Sequence, residues 1–313
     1  MAPQLSVIIP TYNRREIVLK TLEAHKRQTA ADEILEVLVV DDGSTDGTGE
    51  AVTQSALSSP FPIRLLRQEN RGQAAARNLG IRNAKGELIL FGDDDIIPTA
   101  TLVAEHTAWN RKYPAARDAI LGHVAWSPDL NPTPFMEWLG LDGVVCGFSH
   151  LSSGCQVEFP YFYLGNMSVK RGFLLEHGMF DESFRTYGYE DIELGYRLMK
   201  RGLRLFYNSD AVGHHFKYMS LADVCRRKEM VDASSKLFET KVPASAFGEQ
   251  ATSGKASVWQ RALGRLFRSL APAMVPLALV LDTQIPLPWC VYRVFYEHVI
   301  PRVRPRQRAS ARQ

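Results

Sequence analysis

The chain has 313 residues, 45% of them hydrophobic and 23% charged, which suits one or two folded domains and excludes a disordered or collagen-like chain. Its four cysteines, Cys146, Cys155, Cys225 and Cys290, have neither metal-ligand nor redox spacing, so reduced thiols in a reducing compartment are expected. The net charge of +3 hides an asymmetry: residues 255–313 carry ten Lys/Arg against Asp282 and Glu297, a balance of +8 that leaves the rest of the chain at −5.

In chain order, the first residues run straight into a strand-like segment. No basic region precedes an apolar stretch there, so no signal peptide is expected. Residues 5–10 read as a buried strand ended by Pro10. A polar loop, Thr11-Tyr12-Asn13, leads to a helix over 17–28 with Ile17, Val18 and Leu22 as core contacts. Residues 37–40 form a second apolar strand that ends in Asp41-Asp42-Gly43-Ser44-Thr45-Asp46-Gly47, a turn-rich cluster. A helix over 47–58, a strand over 63–66, a helix over 74–84 and a strand over 88–91 follow. Strand–helix alternation, short loops and strands apolar on both faces predict a parallel sheet covered by helices, with right-handed crossovers. The polar clusters after the first, second and fourth strands would then gather along one sheet edge, where such folds bind ligands.

The pattern then loosens. A helix over 100–112 and a strand over 120–126 precede a stretch, 127–160, rich in Pro and Gly and read as loop. A strand over 166–169, a helix near 172–177, a helix over 191–201 ended by Gly202, a strand over 205–207 and an amphipathic helix over 221–238 complete the body.

Five constellations carry chemistry. The strand at 88–91 ends in Asp93-Asp94-Asp95. Three adjacent carboxylates repel one another and avoid burial without a partner, a cost that a cation removes. On an extended chain Asp93 and Asp95 would emerge on one side, offering two oxygen donors to Mg²⁺ or Mn²⁺; the alternative is a solvated acidic turn. Asp42 sits where an acidic residue can hydrogen-bond a ribose or base, although Asp and Gly in a strand-to-helix turn need no function. Arg77 lies on a helix whose start can receive phosphate and could reach a diphosphate, or be a plain surface charge. Tyr187-Gly188-Tyr189-Glu190-Asp191-Ile192-Glu193 puts three carboxylates in the first turn of a helix. Helix-dipole complementation explains acids there; the flanking aromatics suit a sugar site, in which a carboxylate can act as general base. His214-His215 could add an imidazole to the metal, or one could be buried and the other exposed.

Taken together, the motifs resemble glycosyltransferase family 2. They are Val7-Ile8-Ile9-Pro10-Thr11-Tyr12-Asn13, Val39-Val40-Asp41-Asp42-Gly43-Ser44-Thr45-Asp46, Asn70-Arg71-Gly72 with Arg77-Asn78 and Gly80, Gly86-Glu87, Asp93-Asp94-Asp95 and Glu190-Asp191. The resemblance covers about residues 5–215. It implies an α/β GT-A fold: a Rossmann-like, mostly parallel sheet flanked by helices, with a C-terminal helical tail. The domains it implies are a nucleotide-sugar-binding half at 1–100, an acceptor-binding half at 101–240 and a basic, apolar tail at 241–313. It implies inverting, metal-dependent transfer of a sugar from a nucleotide-diphosphate sugar, uridine diphosphate being the usual carrier, to a hydroxyl of a glycan or lipid-linked acceptor.

By the same resemblance Pro10, Thr11, Asn13 and Asp42 lie at the nucleotide, Arg77 near the diphosphate, and Asp93 and Asp94 at the nucleotide sugar. Asp95 and Asp93 would hold Mg²⁺ or Mn²⁺, with His215 or His214 completing the shell. Asp191 would be the base and Glu190 its neighbour on the acceptor. The Gln-x-x-Arg-Trp pattern and the many membrane spans of processive synthases are missing from this sequence, which favours one sugar per encounter. A sugar-phosphate nucleotidyltransferase would need a Gly-rich loop after the first strand, where Pro10-Thr11-Tyr12-Asn13-Arg14-Arg15 has none; a non-catalytic binding protein would not need every acidic motif intact.

The tail, apolar over 270–281 but broken by Pro272 and Pro276, is too short to span a bilayer. Its aromatics and arginines suit the surface of an anionic leaflet, the alternative being a helical cap on the catalytic domain. The expected location is the cytoplasm or the cytoplasmic face of the membrane, and no nucleic-acid partner is expected.

Overall fold

A computed structural model describes residues 4–141, 147–247 and 275–300. Strands β1 (Leu5–Thr11), β2 (Ile34–Asp41), β3 (Ile63–Arg67) and β4 (Leu88–Gly92) alternate with helices α1 (Arg15–Lys26), α2 (Thr48–Ala56) and α3 (Gln73–Asn83). They stand in the order β3-β2-β1-β4, and all three pairings are parallel. The period-two alternation divides the apolar side chains between two layers. Val7, Ile9, Val37, Val39, Leu88 and Leu90 pack with Val18 and Leu22 of α1 on one face. Ile8, Leu38, Val40, Ile89 and Phe91 enter the larger core on the other.

Beyond β4 the sheet continues as a mixed one. Its strands are β5 (Ile96–Pro98), β6 (Asp118–Trp126), β7 (Gln156–Val157), β8 (Asn166–Lys170) and β9 (Arg204–His215). β8 inserts antiparallel between β4 and β6, β6 runs parallel to β9, and β5 and β7 flank β9 antiparallel. The α/β layering thus holds throughout, whereas the parallel arrangement is confined to the first half and the β6–β9 pair. Around this half lie α4 (Leu102–Lys112), α5 (Pro134–Leu141), α6 (Arg171–His177), α7 (Glu190–Lys200) and α8 (Leu221–Lys241).

Two elements differ from the expectation. The loop expected over 127–160 contains α5, which opens on Pro134 and buries Phe135, Met136, Trp138 and Leu139. An eight-residue helix that is apolar nearly all round shows no 3.6-residue stripe. The last strand runs through His215 rather than stopping at Tyr207. Asn208-Ser209-Asp210 has turn composition, but here it forms a bulge: register on β6 jumps between Gly122 and His123. Asn166 stabilises the bulge by donating from Nδ2 to the carbonyls of His123 (2.9 Å) and Ala211 (2.7 Å). The extra length delivers His215 opposite Ile96, next to the triple-Asp turn.

The segment 275–300 includes the helix α9 (Trp289–Val294). Ala278, Leu281, Tyr292, Phe295 and Ile300 are buried in the same core as α5. Tyr292 lies 5.8 Å from the Phe135 ring, and the Leu221 amide donates to Asp282 at 2.6 Å. Among the described residues no helix is long and apolar enough to cross a membrane. The residues 270–274 of the expected apolar segment, and Arg261, Arg265, Arg268, Arg302 and Arg304, lie outside the described residues.

Candidate active site

The carboxyl ends of β2, β1 and β4 stand side by side, so Asp41-Asp42, Thr11 and Asp93-Asp94-Asp95 meet at one edge. Each polar group there has a defined partner. Asp42 is buried and accepts from Gln68 Nε2 (2.7 Å) and from the amides of Arg71 (2.9 Å) and Gly72 (2.8 Å). It therefore fixes the turn that starts α3 while lining a cavity. Gly72 has φ +90°, and a Cβ there would meet the Arg185 carbonyl at 3.0 Å, so this turn needs glycine. Asn13, at φ 50°, accepts from the Thr45 amide (2.8 Å) and ties the β1 and β2 loops together; its carbonyl oxygen is thereby committed.

The three aspartates do not lie on an extended chain. A turn closed by the Ile96 amide on the Asp93 carbonyl (3.1 Å) separates them, so strand alternation does not decide their directions. Asp93 accepts from Arg77 (2.8 Å). Asp94 accepts from the Thr11 hydroxyl (2.8 Å) and faces Arg14 at 3.2 Å. Asp95 is buried, accepts from Arg14 (2.8 Å), and has His215 Nε2 at 3.5 Å. Burial, opposed by Arg14, pushes Asp94 up to about 7. Burial opposes ionisation of Asp95 as well, but His215 and Arg14 together hold it below the ordinary carboxylate range. The neighbours therefore differ, and the ionised one is the one beside an imidazole.

Asp95 with His215 is a carboxylate–imidazole pair, and Trp126 stacks on the His215 ring at 5.1 Å and fixes its plane. The pair fits a divalent ion of the Mg²⁺/Mn²⁺ kind, the imidazole favouring Mn²⁺. No cluster of three or more protein ligands exists among the described residues, so a bound ion would draw its remaining ligands from substrate oxygens and water. Adjacent strand residues point to opposite faces, so His214 turns away from Asp95, and it is His215, not His214, that lines the cavity with Asp93 and Asp191. That alternation separates His214 from the expected metal set.

Arg77 is buried and bridges the two acidic motifs: Nη2 donates to Asp93 (2.8 Å) and Nη1 to Glu190 (2.9 Å). The guanidinium expected near a diphosphate is thus already committed to carboxylates. Its Nε and the Glu190 Oε2 remain without partners, two buried polar atoms at the heart of the cleft. Asp191 follows at the start of α7, set by left-handed Tyr189 (φ 69°) and Gly188 (φ 99°). Loss of water contact, then the Glu190 charge, pushes Asp191 up to about 7, against the pull of Arg77.

Two cavities meet here. One of about 270 Å³ is lined by Pro10, Thr11, Arg14, Asp42, Asp94 and Phe184, among others. The other, about 280 Å³, is lined by Arg77, Asp93, Tyr187, Asp191, His215 and Arg227, among others. Gln73, Tyr187 and Glu190 border both. Sequence reasoning missed Arg14, Trp126 and Arg227. Nothing local marks them, since each acts through a partner distant in the chain.

The glycosyl transferase family 2 model matches residues 6–120. Residues 6–120 form a glycosyltransferase family 2 domain. Among similar proteins, a glycosyltransferase of Bacillus subtilis, YfnE, is 28% identical over 258 residues, covering 69% of this chain and 65% of its own length. Validoxylamine A glucosyltransferase of Streptomyces hygroscopicus subsp. limoneus is 32% identical over 238 residues, covering 67% and 51%. The chain therefore spans about half to two thirds of the length of these relatives. The mannosyltransferase PcManGT of Pyrobaculum calidifontis, solved with GDP-Man and Mn²⁺, superposes with a TM-score of 0.64 at 22% identity, over 96% of this chain and 86% of that one. The fold is the GT-A glycosyltransferase fold.

Proposed function

We propose that this family 2 domain transfers a single sugar, with inversion, from a nucleoside diphosphate sugar to a hydroxyl of a glycan or lipid-linked acceptor. The observation that carries this reading is Arg77, which holds the donor-side Asp93 and the acceptor-side Glu190 on one guanidinium, with Asp191 beside them. Two cavities bordering Glu190 suit the two halves of the reaction. The one with Thr11 and Asp42 receives the nucleoside; the one with Asp93 and Asp191 receives the sugar and the acceptor. The unpartnered Glu190 Oε2 is an acceptor for a sugar hydroxyl. Asp191 takes the proton of the attacking hydroxyl, on the far side of the ring from the departing diphosphate.

A divalent ion held by Asp95 and His215 would supply positive charge for the leaving diphosphate. PcManGT binds Mn²⁺, which supports that metal here. Uridine diphosphate is the first carrier to test. Neither a nucleotidyltransferase nor a non-catalytic binding protein needs a carboxylate of raised proton affinity opposite the donor site. The further proposal is that the protein works at the surface of an anionic membrane through the 275–300 segment, which exposes Leu277, Leu279, Ile285 and Trp289.

Calorimetric titration of UDP in the presence of Mn²⁺ tests the donor half. Asp95→Ala is expected to abolish the metal-dependent part of the affinity and leave the fold intact. Unchanged UDP affinity in that variant contradicts the metal assignment.

A further inference from the structure

We propose that Arg227, with Lys228 beside it, anchors an anionic group on the acceptor, so that this cleft takes a phosphate- or carboxylate-bearing acceptor in preference to a neutral one. The inference rests on the glycosyl-transfer reading of the same cleft. Both residues lie on α8 and line the cavity that holds Asp191. Neither lines the cavity with Thr11, Asp42 and Asp94 that suits the nucleoside.

The arginines of the site are not alike. Arg14 is bound to Asp94 and Asp95, and Arg77 to Asp93 and Glu190. Arg227 is half-buried and lies 5.1 Å from the centroid of the Tyr187 ring, yet among the described residues it makes no hydrogen bond or ion pair. Among the described residues its five N–H donors therefore have no acceptor. Lys228 gives one donor to the Tyr296 carbonyl (2.8 Å) and stands 3.8 Å from that ring's centroid, which leaves two donors. Aromatic faces hold both cations without saturating them.

Asp191 lines the same cavity, and its hydrogen bond is to the Ile192 amide (2.8 Å), not to Arg227. A carboxylate and a guanidinium thus face one space unpaired. That arrangement leaves the first free to take a proton and the second free to take an anion. The partly desolvated guanidinium is disfavoured until an anion meets it, and its planar fork matches phosphate or carboxylate oxygens. Asp93, Glu190 and Asp191 would repel an acidic acceptor. Arg77 pairs with two of them but cancels one charge, and Arg227 with Lys228 supplies two further positive charges. A neutral acceptor would leave Arg227 unpaired, which is the usual origin of discrimination by a buried polar group.

The test is a calorimetric titration of the full chain, first free and then loaded with UDP and Mn²⁺. The probes are sn-glycerol 3-phosphate, glucuronate and, as the neutral control, glycerol. At least one anion is expected to bind the loaded protein, glycerol is not, and Arg227→Gln is expected to weaken the anion tenfold or more while UDP affinity stays within twofold. Arg227→Lys should retain part of the binding. Which anion binds identifies the group as phosphate or carboxylate. Among the described residues Arg227 makes no hydrogen bond or ion pair, so the variants should fold and lose no more stability than the contact with the Tyr187 ring contributes. The proposal is overturned if neither anion binds. It is equally overturned if Arg227→Gln lowers UDP affinity tenfold and leaves the anion unaffected, which would assign the guanidinium to the donor's diphosphate. If UDP fails to bind the wild type, the transfer reading falls, and the titration of the free protein still judges the anion site.

Discussion

Asp191 is the proposed base, and its surroundings make that role testable. Removal from water and the neighbouring Glu190 raise its proton affinity, so it is half ionised near pH 7. A general base works as the carboxylate. The transfer rate should therefore fall tenfold for each pH unit below about pH 7 and level off above it. Asp191→Asn keeps the size and removes the proton acceptor, which should cost roughly 10²–10⁴-fold in rate with little change in donor binding. The same substitution has a stability signature. The folded state holds the proton more tightly than the unfolded one, so the wild type loses stability as pH rises from 3.8 to about 7. Asp191→Asn should raise the melting temperature more at pH 8 than at pH 5. Equal changes at the two pH values, or near wild-type transfer, would show that the base is elsewhere. The position of this residue was legible in the sequence, because acids in a first helical turn next to Tyr and Gly stand out. Its environment was not, because it depends on Arg77, which binds the neighbouring Glu190 across 113 positions of the chain.

At the scale of elements, the parallel half was readable because β1, β2 and β4 are buried on both faces and each ends in a turn cluster. The second half was readable only in part. A helix without a polar face and a strand whose middle has turn composition both defeat pattern reading, and the second of these carries His215 to Asp95. The 275–300 segment packs as the cap that its sequence offered as one alternative, and the proposed membrane surface would lie on its outer side. Its inner side packs on α5 and α8, whereas Leu277, Leu279, Ile285 and Trp289 are 62%, 67%, 57% and 47% exposed. Truncation would strip Tyr292 and Phe295 from the core, so point substitutions are the better probe. Flotation with anionic liposomes should recover the wild type and lose a variant with these four residues changed to Ser. Equal recovery of the two proteins would remove the membrane reading.

The whole molecule carries two histidines that limit it in acid. His25, whose ring lies 2.9 Å from the Thr21 carbonyl, and His106, held between Asn166 (2.8 Å) and Ser168 (2.9 Å), are both buried. Burial, only partly offset by these contacts, lowers each to about 4. The unfolded chain binds protons at these sites near 6.5, so their contribution to stability is complete above that pH and lost as pH falls to about 4. Together they should remove several kcal/mol, since each tenfold difference in proton affinity between the folded and unfolded states is worth about 1.4 kcal/mol. Asp94 and Asp191, raised to about 7, gain stability over the same range, so the loss is read as the difference between the wild type and His106→Gln in urea unfolding at pH 7 and pH 4.5. An equal pH dependence in the two proteins would contradict the buried neutral ring.

Sugar transfer from a nucleotide donor is read as the release of nucleotide from a panel of UDP- and GDP-sugars, with Mn²⁺ and with EDTA. At least one sugar nucleotide should release its diphosphate with Mn²⁺ and not with EDTA, and Asp95→Ala should remove that release. No release from any donor, or release indifferent to the metal and to Asp95, would contradict the account.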